Sequence, residues 1–556
     1  MRADVFTCAV CAVFCALTFL FFAPLEVILL NFMEFRFSFD GVWLFQLAVA
    51  FGAAALLFGL LLLLPPKVRR IAEALVTGGT LAAWVQTMFL NNSMISLTGD
   101  EMQVSRSQTI LNLLIWAGII AGFTVLVIFL AKRKGKTADI VIRAAGAALT
   151  AMQCVALVSL VLTTDTSSRS VHLLSSEGEF EFGTGRNVIM IVADTADEEY
   201  FREILEKYPE LNESLSGWTY YTNAVSTYSR TYPSLPYLMT GQKCWFDTPK
   251  TEYVSKAFRE STFLKTIAES GTDVRLFTTE DHMVGNDAYQ YIANGIDAGN
   301  EKAHLYYPQL EKNLVKISLY KCMPYALKNM FRYEVGLMNL SSFDYRPFRE
   351  CYDPSIYQKL ISNGGIRVTD KLQDTYKLFH LWSSHLGANW NAELEVTGER
   401  NYPEALRGTF KFIEKLIDEL RDKGIYDQTM IIVTADHGIP AGDNKQHERT
   451  RATCPIMLVK YPDSDLQQPL SRNHAPVCHD DLFETTYRAF GRKGDPYGSG
   501  KALEDYTEGE DRTRIHYFEA VDERLVEVEM VEYAIHGDAY DFSSWEKTGN
   551  RWEIKQ

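Results

Sequence analysis

Before residue 165 the chain is dominated by long apolar runs, and after it by short apolar runs separated by amphipathic and polar stretches. Five runs, at roughly 5–29, 42–64, 71–90, 110–131 and 140–163, are each about long enough to cross a ~30 Å hydrocarbon core. Further on, NVIMIVADT at 187–195 and IIVTADHG at 431–438 are continuous, β-branched apolar segments that end in carboxylates. Such runs predict strands buried on both faces of a parallel sheet. TDVRLFTT at 272–279 and the apolar part of YKLFHLWSSHLGANW at 376–390 predict two more, and GWTYYTNAVST predicts a strand or loop. Helical spacing marks the stretches after residue 197, at about 258–269 and at about 403–423, where a Gly stop follows, and the segment HDDLFETTYRAFG at 479–491. From about 501 the rhythm changes to alternating strands. The pattern predicts an α/β chain with a mainly parallel central sheet and a small C-terminal antiparallel subdomain behind five membrane helices. Expected boundaries are 1–165 for the spans, 166–186 for a juxtamembrane linker, 187–500 for a catalytic domain and 501–556 for the β subdomain.

The basic residues orient this scheme. Lys67, Arg69 and Arg70 lie between the second and third runs, and Lys132, Arg133, Lys134 and Lys136 between the fourth and fifth. Both loops are expected in the cytoplasm, which puts everything after residue 164 outside it. Residues 164–186 are polar and rich in Ser, Gly and Thr, and their shortness keeps the domain that follows near the membrane face.

Composition narrows the partners. A net charge of −15 in 556 residues, and an isoelectric point near 5.3, argue against nucleic-acid binding. An anionic substrate therefore has to be held locally, by a metal and a few cations. Of the nine cysteines, Cys8, Cys11, Cys15 and Cys154 fall in apolar runs and read as small buried hydrophobes. The other five have no metal-ligand spacing and leave one disulfide open, Cys322 with Cys351.

Candidate chemistry sits at the strand ends. In open α/β sheets ligands bind at the C-terminal edge of the strands, where Asp194, Asp436 and His437 can converge on one metal. Between them lies TYPSLPYLMTG at 231–241. Pro233 lacks an N–H and carries a helix-compatible φ, so the chain here turns into a helix N-terminus. Unpaired N–H groups and a partial positive charge at such an end suit Thr231 as a nucleophile toward a phosphate or sulfate ester. Arg230 beside it is a candidate phosphate clamp. Asp197, close to Asp194, is a second-ligand candidate that reads better as a helix cap, and Asp480 and Asp481 read as N-terminal helix acids.

In chain order, a strand-end acid, a hydroxyl nucleophile and a later Asp-His pair resemble the alkaline phosphatase and sulfatase superfamily. That resemblance implies a divalent metal, Mn, Zn or Mg, held by Asp194, Thr231, Asp436 and His437. Sulfatases carry Cys or Ser in Cys-x-Pro-Ser-Arg, where this chain has Thr231-Tyr232-Pro233-Ser234-Leu235, and threonine cannot become formylglycine. A threonine with a single first acid and preceding membrane spans looks like the lipoteichoic acid synthases and lipid A phosphoethanolamine transferases. His380 and His385 resemble the His-x-x-x-Ser-His pattern of the latter. Leu381 stands where two-metal relatives have an acid, so one metal is expected. His385 is then a donor or general acid to the substrate, His380 a buried structural residue, and His447 a substrate contact.

The resemblance implies a membrane phosphotransferase that moves a phosphoglycerol- or phosphoethanolamine-type group from a lipid donor to a cell-surface glycan or lipid acceptor. A phosphate or sulfate ester hydrolase on the same fold, and a non-catalytic lipid-binding regulator of envelope synthesis, are the rivals. The resemblance further implies that residues 283–350, rich in Tyr, Asn and Lys, line the substrate groove, with ordinary packing of these side chains as the alternative.

Overall fold

The structure, a computed structural model, describes residues 2–554 apart from 33, 36, 38, 92–101, 103, 134, 165–171, 281–282, 298–304, 334, 336–337, 339–340, 343–351, 386, 439–453, 493–499 and 522–526. The chain divides into two units, Met1–Ser170 with Asn300–Arg346, and Val171–Gly299 with Pro347–Gln556.

The first unit is helical: α1 (Arg2–Leu17), α2 (Ala23–Leu30), α3 (Phe39–Leu63), α4 (Pro66–Val85), α5 (Arg106–Arg133) and α6 (Gly135–Thr163). A wide helical turn at Thr18–Phe22 joins α1 to α2. Four of the five expected spans are long and apolar enough to cross a membrane: Val5–Leu30, Gly41–Leu63, Arg106–Arg133 and Lys136–Thr163. The third expected span, 71–90, falls in α4 and the turn Gln86–Leu90 that follows it, and does not meet that measure. The count among the described residues is therefore four, and the reason is chemical. Glu73, Thr77, Thr80 and Gln86 are buried polar positions on this helix. Cys8 Sγ donates to Glu73 Oε1 at 2.9 Å, and Asn112 Nδ2 and Trp116 Nε1 donate to Gln86 Oε1 at 2.7 and 2.9 Å. Polar groups with partners inside the helix bundle lower the apolarity of the segment without facing lipid.

Helix Tyr307–Cys322 belongs to this unit, although its sequence lies in the stretch expected to line the substrate groove. Leu310, Leu314, Ile317 and Tyr320 recur at helical spacing and are buried in one cluster with Phe22, Leu25, Ile28 and Phe35. A buried ion pair between Lys321 and Glu26, and a 2.9 Å hydrogen bond from Asn91 Nδ2 to the Lys321 carbonyl, fasten its end. Cys322 is a free, buried thiol, and Cys351 lies outside the described residues.

The second unit is built on seven strands: β1 (Asn187–Ala193), β2 (Trp218–Tyr221), β3 (Asp273–Phe277), β4 (Thr375–Leu381), β5 (Thr429–Thr434), β6 (Met457–Lys460) and β7 (Ser471–Asn473). Their order is β7-β2-β6-β5-β1-β4-β3. β5, β1, β4 and β3 are mutually parallel, and β6 is antiparallel to both neighbours. Every residue of β1, β4 and β5 is buried, as the apolar runs of β1 and β5 require, and β4 also buries Lys377, whose Nζ donates to the Gly178 carbonyl at 2.7 Å, and His380. The described helices here include α7 (Glu198–Lys207), α8 (Thr231–Thr240), α9 (Asp353–Ser362), α10 (Tyr402–Asp422) and α11 (Asp481–Ala489). α10 turns Ala405, Phe412, Leu416 and Leu420 inward, the stripe its sequence shows. A separate antiparallel sheet, β8 (Thr513–Val521), β9 (Glu527–His536) and β10 (Trp545–Glu553), closes the chain. Part of the polar 164–186 stretch is built into this unit: Leu174, Phe180 and Phe182 lie in its core.

Candidate active site

Parallel pairing sets the site. β1 and β5 are registered with Val192 opposite Thr434, so Asp194 and Asp436, two residues further along each strand, leave the sheet at the same level. Ligand atoms of Asp194, Asp436 and His437 all lie within 4.8 Å of one another, and all three residues are buried. Thr195 adopts a left-handed backbone (φ 54°), and its N–H donates to Asp436 Oδ1 at 3.1 Å. The same oxygen accepts the His437 N–H at 2.9 Å, and Ser234 Oγ donates to the Asp436 carbonyl at 2.6 Å. His437 Nδ1 lies 2.5 Å from the Gly438 carbonyl oxygen, so Nδ1 carries the proton and Nε2 keeps its lone pair for the cluster.

Thr231 opens α8. Tyr232 keeps an extended backbone (φ −92°, ψ 117°) before the regular turns, and Gly241 ends the helix in the left-handed conformation (φ 71°). The Thr231 hydroxyl thus stands 3.3 Å from His437 Nε2. Arg230 occupies the N-cap position with extended backbone and makes no side-chain cap bond.

These residues fit a divalent cation. Asp194 Oδ1 and Asp436 Oδ2 are buried without a hydrogen-bond donor among the described residues, an arrangement that is costly unless a cation satisfies them. Two carboxylate oxygens, an imidazole nitrogen and a neighbouring hydroxyl form a mixed O/N donor set compatible with Zn, Mn or Mg. Burial opposes the ionisation of Asp194, but His385, His380 and His437 together hold its carboxyl below the usual range. Burial, and then the charge of Asp194, push Asp436 the other way.

His385 follows the end of β4, its ring 5.9 Å from that of Trp382 and its Nδ1 buried without a partner among the described residues. His380 is buried in β4, as expected, but it is also part of the site: its Nε2 lies 3.5 Å from Asp194 Oδ2 and its Nδ1 3.1 Å from Thr278 Oγ1. Burial works against its protonation, and Asp194 outweighs burial to raise its pKa. The signal is one of register, since β4 pairs with β1 so that His380 lies opposite Val192. His447 lies outside the described residues. Asp197 caps α7, accepting the Glu199 N–H at 2.9 Å. Asp481 is held by Arg512 at 2.7 Å on both oxygens, whereas Asp480 takes the N-cap position of α11 without a cap bond.

Behind His385, Asp353 accepts the Ser383 N–H at 2.9 Å and the Thr409 hydroxyl at 2.6 Å. Burial raises its pKa to about 7. A carboxyl raised above its unfolded value stabilises the fold fully below pH ~4, and that contribution is lost as the pH rises through 7. The window is worth on the order of 4 kcal/mol at ~1.4 kcal/mol per unit. Asp353→Asn keeps an acceptor and removes the titration. Melting temperature against pH is expected to fall less steeply between pH 5 and 8 in the variant, and parallel curves would refute the assignment.

No curated protein matches the chain. Solved structures that resemble it include lipooligosaccharide phosphoethanolamine transferase A (EptA) of Neisseria meningitidis, at 13% identity and TM-score 0.33, covering 87% of this chain and 95% of that one. The lipoteichoic acid synthase LtaP of Listeria monocytogenes aligns at 14% identity and TM-score 0.36, over 66% of this chain and 88% of that one. A protein in the alkaline phosphatase superfamily from Vibrio parahaemolyticus aligns at 11% and 0.40, over 68% and 85%. The sulfatase family model matches residues 186–492, more than half of the chain, from the start of β1 to the end of α11. With its strand-end acids, its Asp-His pair and that match, the chain belongs to the sulfatase family and is an enzyme of the sulfatase-like superfamily.

Proposed function

We propose that this enzyme is a membrane-bound phosphotransferase in which Thr231 takes a phospho-substituent, of phosphoglycerol or phosphoethanolamine type, from a lipid donor and passes it to a cell-surface glycan or lipid. The observation that carries this reading is the Thr231 hydroxyl standing 3.3 Å from His437 Nε2, at the edge of the buried Asp194/Asp436/His437 cluster. A divalent cation bound by that cluster supplies a lowered pKa for the Thr231 hydroxyl and neutralises charge on the phosphoryl oxygens. Thr231 Oγ, its proton passing to solvent, then forms a bond to phosphorus as the P–O bond to the lipid alcohol breaks, and His385 gives a proton to the departing oxygen. Arg230 pairs with the phosphoryl oxygens, and His447 is proposed as a further substrate contact. The acceptor hydroxyl, its proton passing to His385, then bonds to phosphorus as the bond to Thr231 Oγ breaks, and that oxygen takes up a proton from solvent to restore the hydroxyl.

Intact-protein mass spectrometry after incubation with anionic phospholipids tests the reading. An adduct on Thr231 of the mass of a headgroup phosphate is expected, and its absence with every donor headgroup withdraws it. Decay of that adduct in water as fast as with alcohol acceptors would favour the hydrolase.

The catalytic unit is proposed to lie outside the cytoplasm, because Lys132, Arg133, Lys134 and Lys136 cluster at the end of α5 and the start of α6 and mark the first end of α6 as cytoplasmic. Thr184 is exposed, whereas a Cβ at Gly183 or Gly185 would meet the Gln373 carbonyl oxygen at 2.3 or 2.7 Å. In intact cells an impermeant maleimide is expected to label Thr184→Cys and spare Lys132→Cys. The reverse pattern inverts the topology.

A further inference from the structure

The loop that delivers Thr231 is held from two sides by residues to which the reaction gives no chemical task. On one side, the Thr227 N–H donates to His479 Nδ1 at 3.3 Å, and His479 Nε2 donates to the carbonyl of Ala435, the residue before Asp436, at 3.0 Å. On the other side lies β8 of the C-terminal sheet. The Tyr517 N–H donates to the Thr227 carbonyl at 2.8 Å, and His516 Nδ1 donates to the Ser226 carbonyl at 2.8 Å. The Tyr228 and Tyr517 rings stack with centroids 5.2 Å apart.

The next inward-facing residue of β8, Glu519, makes the closest clamp. Its Oε2 accepts both the N–H of Ser229, at 3.2 Å, and the Ser229 hydroxyl, while its own N–H donates to Ser229 Oγ at 3.1 Å. The side chain is only 2% exposed, and Oε1 has no hydrogen-bond partner among the described residues. Burial lifts its pKa to about 7, opposed by the bonds from Ser229 and by the charge of Arg230. A buried carboxyl with one unpaired oxygen is an expensive way to fix a serine if packing were its only purpose. Ser229, which it holds by hydrogen bonds, lies two residues before Thr231 and next to Arg230.

We propose that Glu519 is a positioning residue for the nucleophile: by clamping Ser229 it sets where the loop places the Thr231 hydroxyl at the cation site. This rests on the proposed role of Thr231. It makes the C-terminal sheet part of the active site, acting through the loop it templates.

The test is release of nitrophenolate from bis(p-nitrophenyl) phosphate by the full-length, metal-loaded protein, with kcat and KM measured separately and the metal content determined. Misplacing a reacting group by about 1 Å costs on the order of 10²-fold. Glu519→Ala is therefore expected to lower kcat by about 10- to 100-fold with KM and metal content unchanged. Glu519→Gln, which keeps an acceptor for Ser229, is expected to recover most of the loss. If the alanine variant does not fold, Ser229→Ala removes the hydroxyl half of the clamp and is expected to lower kcat in the same way. A kcat within twofold of wild type in a folded Glu519→Ala or Ser229→Ala protein overturns the proposal, even where the melting temperature falls. Turnover by the wild type with unaffected variants overturns this inference alone. A wild type that neither turns over nor forms the Thr231 adduct withdraws the phosphotransferase reading, and this inference with it.

Discussion

Thr231→Ala is expected to abolish the covalent adduct and to lower turnover by at least about 10⁴-fold, while the protein keeps its fold and its single equivalent of metal. Thr231 is half-buried and its hydroxyl stands 3.3 Å from His437 Nε2, so the substitution removes a small polar group from a partly exposed position. A substitution of that kind costs below ~1 kcal/mol. Asp194, Asp436 and His437 remain as three protein ligands, enough for a catalytic cation with an open position. His385→Ala differs in kind: the nucleophile survives and the adduct still forms, but the departing alkoxide loses a proton donor, which slows turnover by about 10²- to 10⁴-fold. Adduct mass and turnover measured on both variants separate the roles. Near-normal activity in Thr231→Ala would remove the nucleophile assignment and the phosphotransferase reading built on it.

Asp436→Asn is expected to uncouple the protein from its metal and to reverse sign between two conditions. The Asp436 carboxylate is fully buried, faces Asp194 and accepts two backbone N–H groups on Oδ1. An asparagine oxygen still accepts those N–H groups, and the repulsion between two buried carboxylates disappears. In chelator the variant should therefore melt at or above the wild type. With metal at 100 times its dissociation constant the wild type gains about 2.7 kcal/mol, because only the folded chain presents the site. The variant gains little, and its activity falls to background. Differential scanning fluorimetry with and without metal distinguishes the outcomes, and an equal metal-induced shift in both proteins would show that the cation is held elsewhere.

β1 and β5 were legible because a run of apolar residues buried on both faces leaves a carboxylate conspicuous at its end. Asp194 and Asp436 stand out at the ends of unbroken apolar runs for that reason. Thr231 was legible through Pro233, which advertises a helix start. His380 was not, because it sits inside an apolar run, and its meaning depends on a register between β4 and β1 that only the folded sheet defines. Glu519 was invisible for the same reason at longer range: an alternating strand shows which face is inward, but not which loop it meets some 290 residues earlier. The third apolar run misled in the opposite direction. Its length suggested a span, yet Glu73 and Gln86 make it too polar by composition, and only the structure shows their partners on neighbouring helices.

Helix Tyr307–Cys322 has a topological consequence for shedding. The polypeptide leaves the catalytic unit at Gly299 and rejoins it at Pro347, so three covalent links join the two units instead of one. A protease that nicks residues 165–171 severs only the first. The excised fragment still contains a helix whose Leu310, Leu314, Ile317 and Tyr320 are embedded among Phe22, Leu25 and Ile28. Release of a soluble enzyme would require two further cuts, or extraction of that apolar face into water. A recombinant fragment begun at residue 172 would expose the same face and is expected to aggregate unless 300–346 is replaced by a short polar loop.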